Sequence, residues 1–173
     1  EAPVVDAIVG VDMFGNMCNW ELIQHLGVPT INDAAQSIES HNGKKHSAEY
    51  GDVACLSFSP TKTISSWGSG GAILTKDKRI ADKARKLRLH GKEINDATAI
   101  HAGMNSMMSS FECACVLVGL EHSTEWQTRR HRISEYLIEK SKYESACEKL
   151  PRHTYSKLVF QSLILSFLLV WIQ

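Results

Sequence analysis

One lysine stands between a strand-like run and a glycine cluster in the stretch Ser57-Phe58-Ser59-Pro60-Thr61-Lys62-Thr63-Ile64-Ser65-Ser66-Trp67-Gly68-Ser69-Gly70-Gly71. The amine of Lys62 could attack a carbonyl carbon, carry a proton or pair with an anion, according to what surrounds it. Taken alone it is as readily a solvated loop residue. Ser57 before it and the glycines after it favour a site, because hydroxyls donate to phosphate oxygens and glycines let backbone approach a ligand. Asp33 raises a parallel question: it follows Val28-Pro29-Thr30-Ile31-Asn32 and opens Ala34-Ala35-Gln36, where a strand is expected to give way to a helix. It can cap that helix or serve as a ligand group, since Asp is a favoured capping residue and a buried carboxylate is costly unless paired. The Gly68–Gly71 cluster lacks the GxxxxGK[ST] of a P-loop and leads into strand-like Ala72-Ile73-Leu74-Thr75 rather than a helix. Its expected role is the turn that returns the chain to a sheet.

The elements that must position these groups are legible as short β-rich runs at 7–11, 28–31, 53–58 and 72–74, each bounded by Gly, Pro, Asn or Asp. Helical patterns lie between and after them. Trp20–Leu26 is short, and Asp77–His90 carries Ile80, Ala84 and Leu87 on one stripe. Phe111, Ala114, Cys115 and Val118 repeat the i, i+3, i+4, i+7 spacing, and 130–149 continues with Ile133, Tyr136 and Leu137. Strands apolar on both faces, alternating with helices, predict an α/β fold with a mostly parallel sheet covered by helices on both faces. Ligands of such sheets sit at the carboxyl ends of the strands, which singles out Asp12, Asp33, Ser57 with Lys62, and Thr75. A boundary is expected near Pro151, where the long helix ends and strand-like sequence resumes.

A lysine and a buried carboxylate at one sheet edge are what pyridoxal phosphate chemistry requires. The amine condenses with the cofactor aldehyde, and the carboxylate keeps the pyridine nitrogen protonated so that the ring can accept carbanion electrons.

The order and spacing of several motifs strengthen this reading. Phe14-Gly15-Asn16, Ile31-Asn32-Asp33-Ala34-Ala35-Gln36-Ser37, the block from Tyr50 to Lys62, Gly68–Thr75, Leu87-Arg88-Leu89-His90-Gly91 and Gly103–Met108 together resemble the DegT/DnrJ/EryC1/StrS sugar aminotransferases. That family consists of pyridoxal-phosphate enzymes of the aspartate-aminotransferase fold. The resemblance implies that Lys62 is the Schiff-base lysine and proton shuttle, that Asp33 pairs with the pyridinium nitrogen, and that Gln36 lies against the cofactor's phenolic oxygen. It also implies that Ser57 binds the cofactor phosphate and that Asn105 reaches the phosphate held by a partner subunit of a homodimer. The reaction it implies moves an amino group from glutamate to a nucleotide-linked keto sugar in the cytoplasm, in the service of polysaccharide or amino-sugar biosynthesis. Retention of the lysine, which some relatives replace by histidine for dehydration, favours transamination.

On the same resemblance, 1–123 is a partial cofactor-binding large domain, 124–150 a connecting helix and 151–173 the start of a C-terminal small domain, so that the chain is the middle of an enzyme. Ser69 stands where the family often has Asp or Glu, and Met107 where an arginine is usual. The alternative function, from another class, is a noncatalytic remnant that acts at most as an oligomerisation module.

Composition narrows the field further. The 173 residues are 43% hydrophobic and 22% charged, a globular balance. Nineteen basic and nineteen acidic side chains cancel, so no overall field favours nucleic acid or an anionic membrane. The apolar run Leu158–Ile172 falls short of the ~18 residues of a spanning helix. Five cysteines without CxxC spacing suit reduced thiols. The eight histidines show no metal spacing; His122 and His131 are expected on helix surfaces or caps, and His90 in a structural role. Cys113 and Cys115, two apart, fall on different helix faces, which argues against a shared metal. Arg129, Arg130 and Arg132 are expected to form a solvated helix face.

Overall fold

The computed structural model describes residues 4–140, with side chains as far as Tyr136. The expectations for Leu137, Pro151 and Leu158–Ile172 lie outside the described residues. Four strands, β1 (Ile8–Val11), β2 (Thr30–Asp33), β3 (Val53–Ser57) and β4 (Gly71–Leu74), form one sheet in the order β1-β2-β3-β4. The first three are parallel, while β4 runs antiparallel to β3 with Ser57 opposite Gly71. The expected turn is therefore present: Gly68–Gly70 leads the chain back beside the strand it left. Helices α1 (Trp20–Gln24), α2 (Lys78–Leu87), α3 (Ser110–Glu121) and α4 (Ser123–Lys140) complete the order. Among the described residues no helix is long and apolar enough to cross a membrane, and no group of three His, Cys, Asp or Glu is placed to hold a metal ion.

Registers align Gly10, Asn32, Ala54 and Leu74 in one row across the sheet, and Val11, Asp33, Cys55 and Ile73 in the next. Successive residues of a strand point to opposite faces, so these rows belong to different sides. Gly10, Asn32 and Ala54 are buried, whereas Val11 and Ile73 are exposed and Asp33 and Cys55 half-buried. Gly10 has a steric reason: a Cβ there would come within 2.5 Å of Trp20 Cη2, and that indole is almost fully buried. A small core of Phe58, Ile64 and Val116 gathers Leu56, Ala72, Ile38 and Met108 around it. It locks the loop after β3 against α3.

Four expectations are corrected. β2 begins two residues later than its apolar run predicted and takes in Asp33, and the segment after Asp33 is a succession of turns, not a helix. Asp33 therefore caps no helix. On α3 the stripe Phe111, Ala114, Val118 is exposed, with Cys115 half-buried, and the buried positions are Val116 and Gly119. Nearly every residue of that helix is apolar, so spacing could not choose a face. Ile80, Ala84 and Leu87 of α2 are half-buried rather than core, and α2 contains no buried residue. Finally, Arg130 leaves the solvated face: its Nη2 lies 3.1 Å from Oε2 of buried Glu39. That burial pushes the guanidinium below its ordinary value.

The remaining surface assignments agree with the structure. His122 is the C-cap of α3 and stacks on Trp126, and His131 pairs with Glu135. His90 takes a left-handed φ of 57° and its N–H donates to the Met104 carbonyl, a structural role.

Candidate active site

The carboxyl ends of β1, β2 and β3 lie side by side and carry Asp12, Asp33 and Ser57 with Lys62, whereas Thr75 falls at the opposite edge because β4 runs antiparallel, and its hydroxyl donates to the Asp52 carbonyl. After β1 the chain makes a short turn at Met13–Gly15, with Phe14 in the left-handed region at φ 58°. That turn is held to the next strand's loop, because the Phe14 N–H donates to Gln36 Oε1 at 3.0 Å. A backbone N–H can only donate, so the oxygen of the Gln36 amide is committed to it. The NH2 end is left to donate elsewhere.

At the end of β2 the Asp33 carboxyl accepts from the Ala35 N–H at 3.1 Å through Oδ1, a local Asx turn, and Oδ2 takes no hydrogen bond among the described residues. Its register partner Cys55 feels it: burial first, then the charge of Asp33, pushes the Cys55 thiol up, which keeps it protonated. Ser57 ends β3. Its Oγ accepts weakly from the Ser59 N–H at 3.4 Å and keeps its own proton to donate.

Lys62 follows in a loop built on the strand end. Its N–H donates to the Ser59 carbonyl at 2.9 Å, while Ser66, fully buried, returns both its N–H and its hydroxyl to the Phe58 carbonyl. The loop is thus closed on both sides of the lysine. Lys62 is half-buried, and its amine makes no ion pair or hydrogen bond among the described residues. Beyond it, Glu112 of α3 is held below its ordinary value by hydrogen bonds from Ser109 and also takes one from the Ser69 backbone. A side chain at Gly68 would meet that carboxyl, with Cβ 2.6 Å from Glu112 Oε1.

Asp33, Gln36, Ser57 and Lys62 are therefore brought to one edge of the sheet. Asn105 is not joined to them: it is exposed, and its backbone bridges Leu89. Sequence reasoning underrated Asp12. It is fully buried beside this edge, where its carboxyl receives the Trp20 indole N–H at 2.9 Å, the Cys18 N–H at 2.8 Å and the Ser47 hydroxyl at 2.5 Å. Its place just after a strand was the one signal available.

A half-buried amine, a carboxyl with a free oxygen, an oriented amide donor and a hydroxyl at one edge of a mostly parallel α/β sheet are groups that a pyridoxal-phosphate-dependent transferase of the α/β large-domain class would use. The donor set fits that cofactor: a carboxylate for a pyridinium, an NH2 for a phenolate, a hydroxyl for a phosphate and an amine for an aldehyde. The family model of the DegT/DnrJ/EryC1/StrS aminotransferase family matches residues 2–167, and the chain belongs to that family.

Particular relatives fill in the comparison. The chain is 32% identical over 136 residues to the UDP-2-acetamido-2-deoxy-3-oxo-D-glucuronate aminotransferase of Pseudomonas aeruginosa, covering 76% of this chain and 38% of that protein. A crystal structure of a DegT DnrJ EryC1 StrS aminotransferase from Brucella abortus is similar with a TM-score of 0.73 and 31% identity, over 78% of this chain and 37% of the other. The crystal structure of ntda from Bacillus subtilis with bound cofactor PMP is similar with a TM-score of 0.67 and 25% identity, over 80% of this chain and 32% of the other. The chain spans less than two fifths of the length of each of these three.

Proposed function

We propose that this chain is the cofactor-binding core of a pyridoxal-phosphate aminotransferase that moves an amino group from glutamate to a nucleotide-linked keto sugar. The observation that carries the proposal is the commitment of Gln36 Oε1 to the Phe14 N–H, which leaves an amide donor on the edge that also bears Asp33, Ser57 and Lys62. When bound, the cofactor supplies an aldehyde for the amine and a ring that delocalises a carbanion's electrons.

In this reading Lys62 would hold the cofactor's aldehyde carbon, and its amine would carry the proton taken from and returned to the substrate carbon. Asp33 keeps a proton on the pyridine nitrogen. Ser57 donates to the phosphate, and Gln36 donates to the phenolic oxygen. Asn105, on an exposed segment, contacts the cofactor of the partner in a homodimer. The keto-sugar substrate is supported by the UDP-sugar named for the Pseudomonas relative, and the cytoplasm by the reduced-thiol cysteine pattern.

Titration of pyridoxal phosphate into the chain tests the reading. Stoichiometric binding with a visible absorbance band is expected, and Lys62→Ala is expected to abolish the band. Glutamate should bleach it, and a nucleotide-linked keto sugar should restore it. No band, or a band unchanged in Lys62→Ala, overturns the role of Lys62. A chain that self-associates yet binds no cofactor would be the noncatalytic oligomerisation module instead.

A further inference from the structure

Asp12 is a buried carboxyl that accepts four hydrogen bonds, and the proposed chemistry does not use it. It is fully buried. Its Oδ1 accepts from the Cys18 N–H and the Trp20 indole, and its Oδ2 from the Ser47 hydroxyl and, at 3.4 Å, the Asn32 amide. Its own N–H donates to the carbonyl of Asp33 at 3.1 Å. One residue therefore joins the end of β1 to the backbone of the candidate pyridinium partner.

The same carboxyl closes a loop. By taking the Cys18 N–H, Asp12 pins both ends of residues 12–18, and within that loop Phe14 sits at φ 58°. A bulky aromatic in the left-handed region is strained and persists only where its surroundings over-determine it. Here the surroundings are the Asp12 closure and the Phe14 N–H bond to Gln36 Oε1. If the closure fails, Phe14 can relax, and the Gln36 amide loses the donor that fixes which end it presents.

We propose that Asp12 is a positioning residue: through the Phe14 turn it sets the orientation of the Gln36 amide toward the cofactor. This rests on the functional reading above for its ligand, but not for its first link. Asp12→Asn keeps the shape but removes the charge that strengthens the Cys18 N–H bond closing the loop, and its NH2 group faces Ser47 and Asn32.

The test combines hydrogen exchange with a double-mutant cycle. In the chain without cofactor, the Phe14 amide should be protected, and Asp12→Asn should speed its exchange about tenfold, as expected for one weakened hydrogen bond. With pyridoxal phosphate, Asp12→Asn and Gln36→Ala should each weaken binding about tenfold, while the double variant should be no weaker than Gln36→Ala alone. A merely structural role predicts multiplication to about a hundredfold instead.

Unchanged Phe14 exchange, or multiplicative losses, overturns the proposal. Should the parent chain bind no cofactor, the functional reading fails and exchange alone decides this one. Should Asp12→Asn not fold, Cys18→Pro removes the N–H that closes the 12–18 loop and leaves the other donors to the same carboxyl in place. Faster Phe14 exchange in that variant supports the proposal, and unchanged exchange overturns it.

Discussion

Two regions of this molecule make polar contacts of equal length to very different effect. Behind the site edge, Asp12, Trp20, Asn32, Ser37 and Ser47 are almost fully buried and linked at 2.5 to 3.4 Å. Along α2, Lys78 and Arg85 meet Asp82 at 3.0 and 2.9 Å, and Arg79 meets Asp77 at 2.7 Å, yet the basic side chains are 64% to 91% exposed. In the first region a lost partner strands a group that water cannot reach. In the second, water and salt replace it at once. Contact distance does not measure worth; burial does. The candidate site leans on the first region and not on the second.

The contrast can be broken or sharpened by substitution, beginning with the largest expected effect. Glu39 and Arg130 form an ion pair whose acid is buried, tying the loop after β2 to α4, with the Gln127 amide also bonded to the Glu39 carbonyl. Glu39→Ala should destabilise the chain by about 3 kcal/mol, because it leaves a guanidinium without its buried counter-charge. Urea unfolding measures it, and a loss no larger than that of an exposed pair would break the comparison. Gly10→Ala should cost about 2 kcal/mol by forcing a methyl into the Trp20 ring, with a matching change in buried-indole fluorescence.

The smallest effect belongs to α2. Hydrogen bonds from the Arg79 side chain and then from its backbone hold the Asp77 carboxyl down at about 2, below its ordinary 3.8. Because the folded value is the lower one, any stabilisation is complete above 3.8 and disappears as pH falls through about 2. Arg79→Ala should raise the Asp77 midpoint toward 3.8 in an NMR titration and leave the melting temperature at neutral pH unchanged. A clear drop in melting temperature there would show that exposed pairs carry weight in this fold.

Much of the fold was legible because its signals are local. Short β-branched runs between turn residues marked the four strands, and the glycines after Lys62 marked the return into the sheet. Asp33, Gln36, Ser57 and Lys62 could be nominated from their places after strands and from motifs. Where reading failed, the reason was also physical. α3 is apolar nearly all round, so its period carried no direction, and the exposed side of Phe111, Leu117 and Val118 could be assigned only by what packs on Val116 and Gly119. Arg130 looked like one cation in a basic run, because its partner lies 91 residues away.

By itself the sequence determined the α/β alternation, the strand ends and the residue types delivered to them, since propensity, turn chemistry and motif spacing act over a few neighbours. Only the tertiary structure decided which of those residues became interdependent. Asp12 draws its donors from positions 6, 8, 20 and 35 residues away, and Gln36 takes its orientation from a turn 22 residues earlier. Burial and hydrogen-bond geometry are properties of the assembled sheet, where distance along the chain no longer counts.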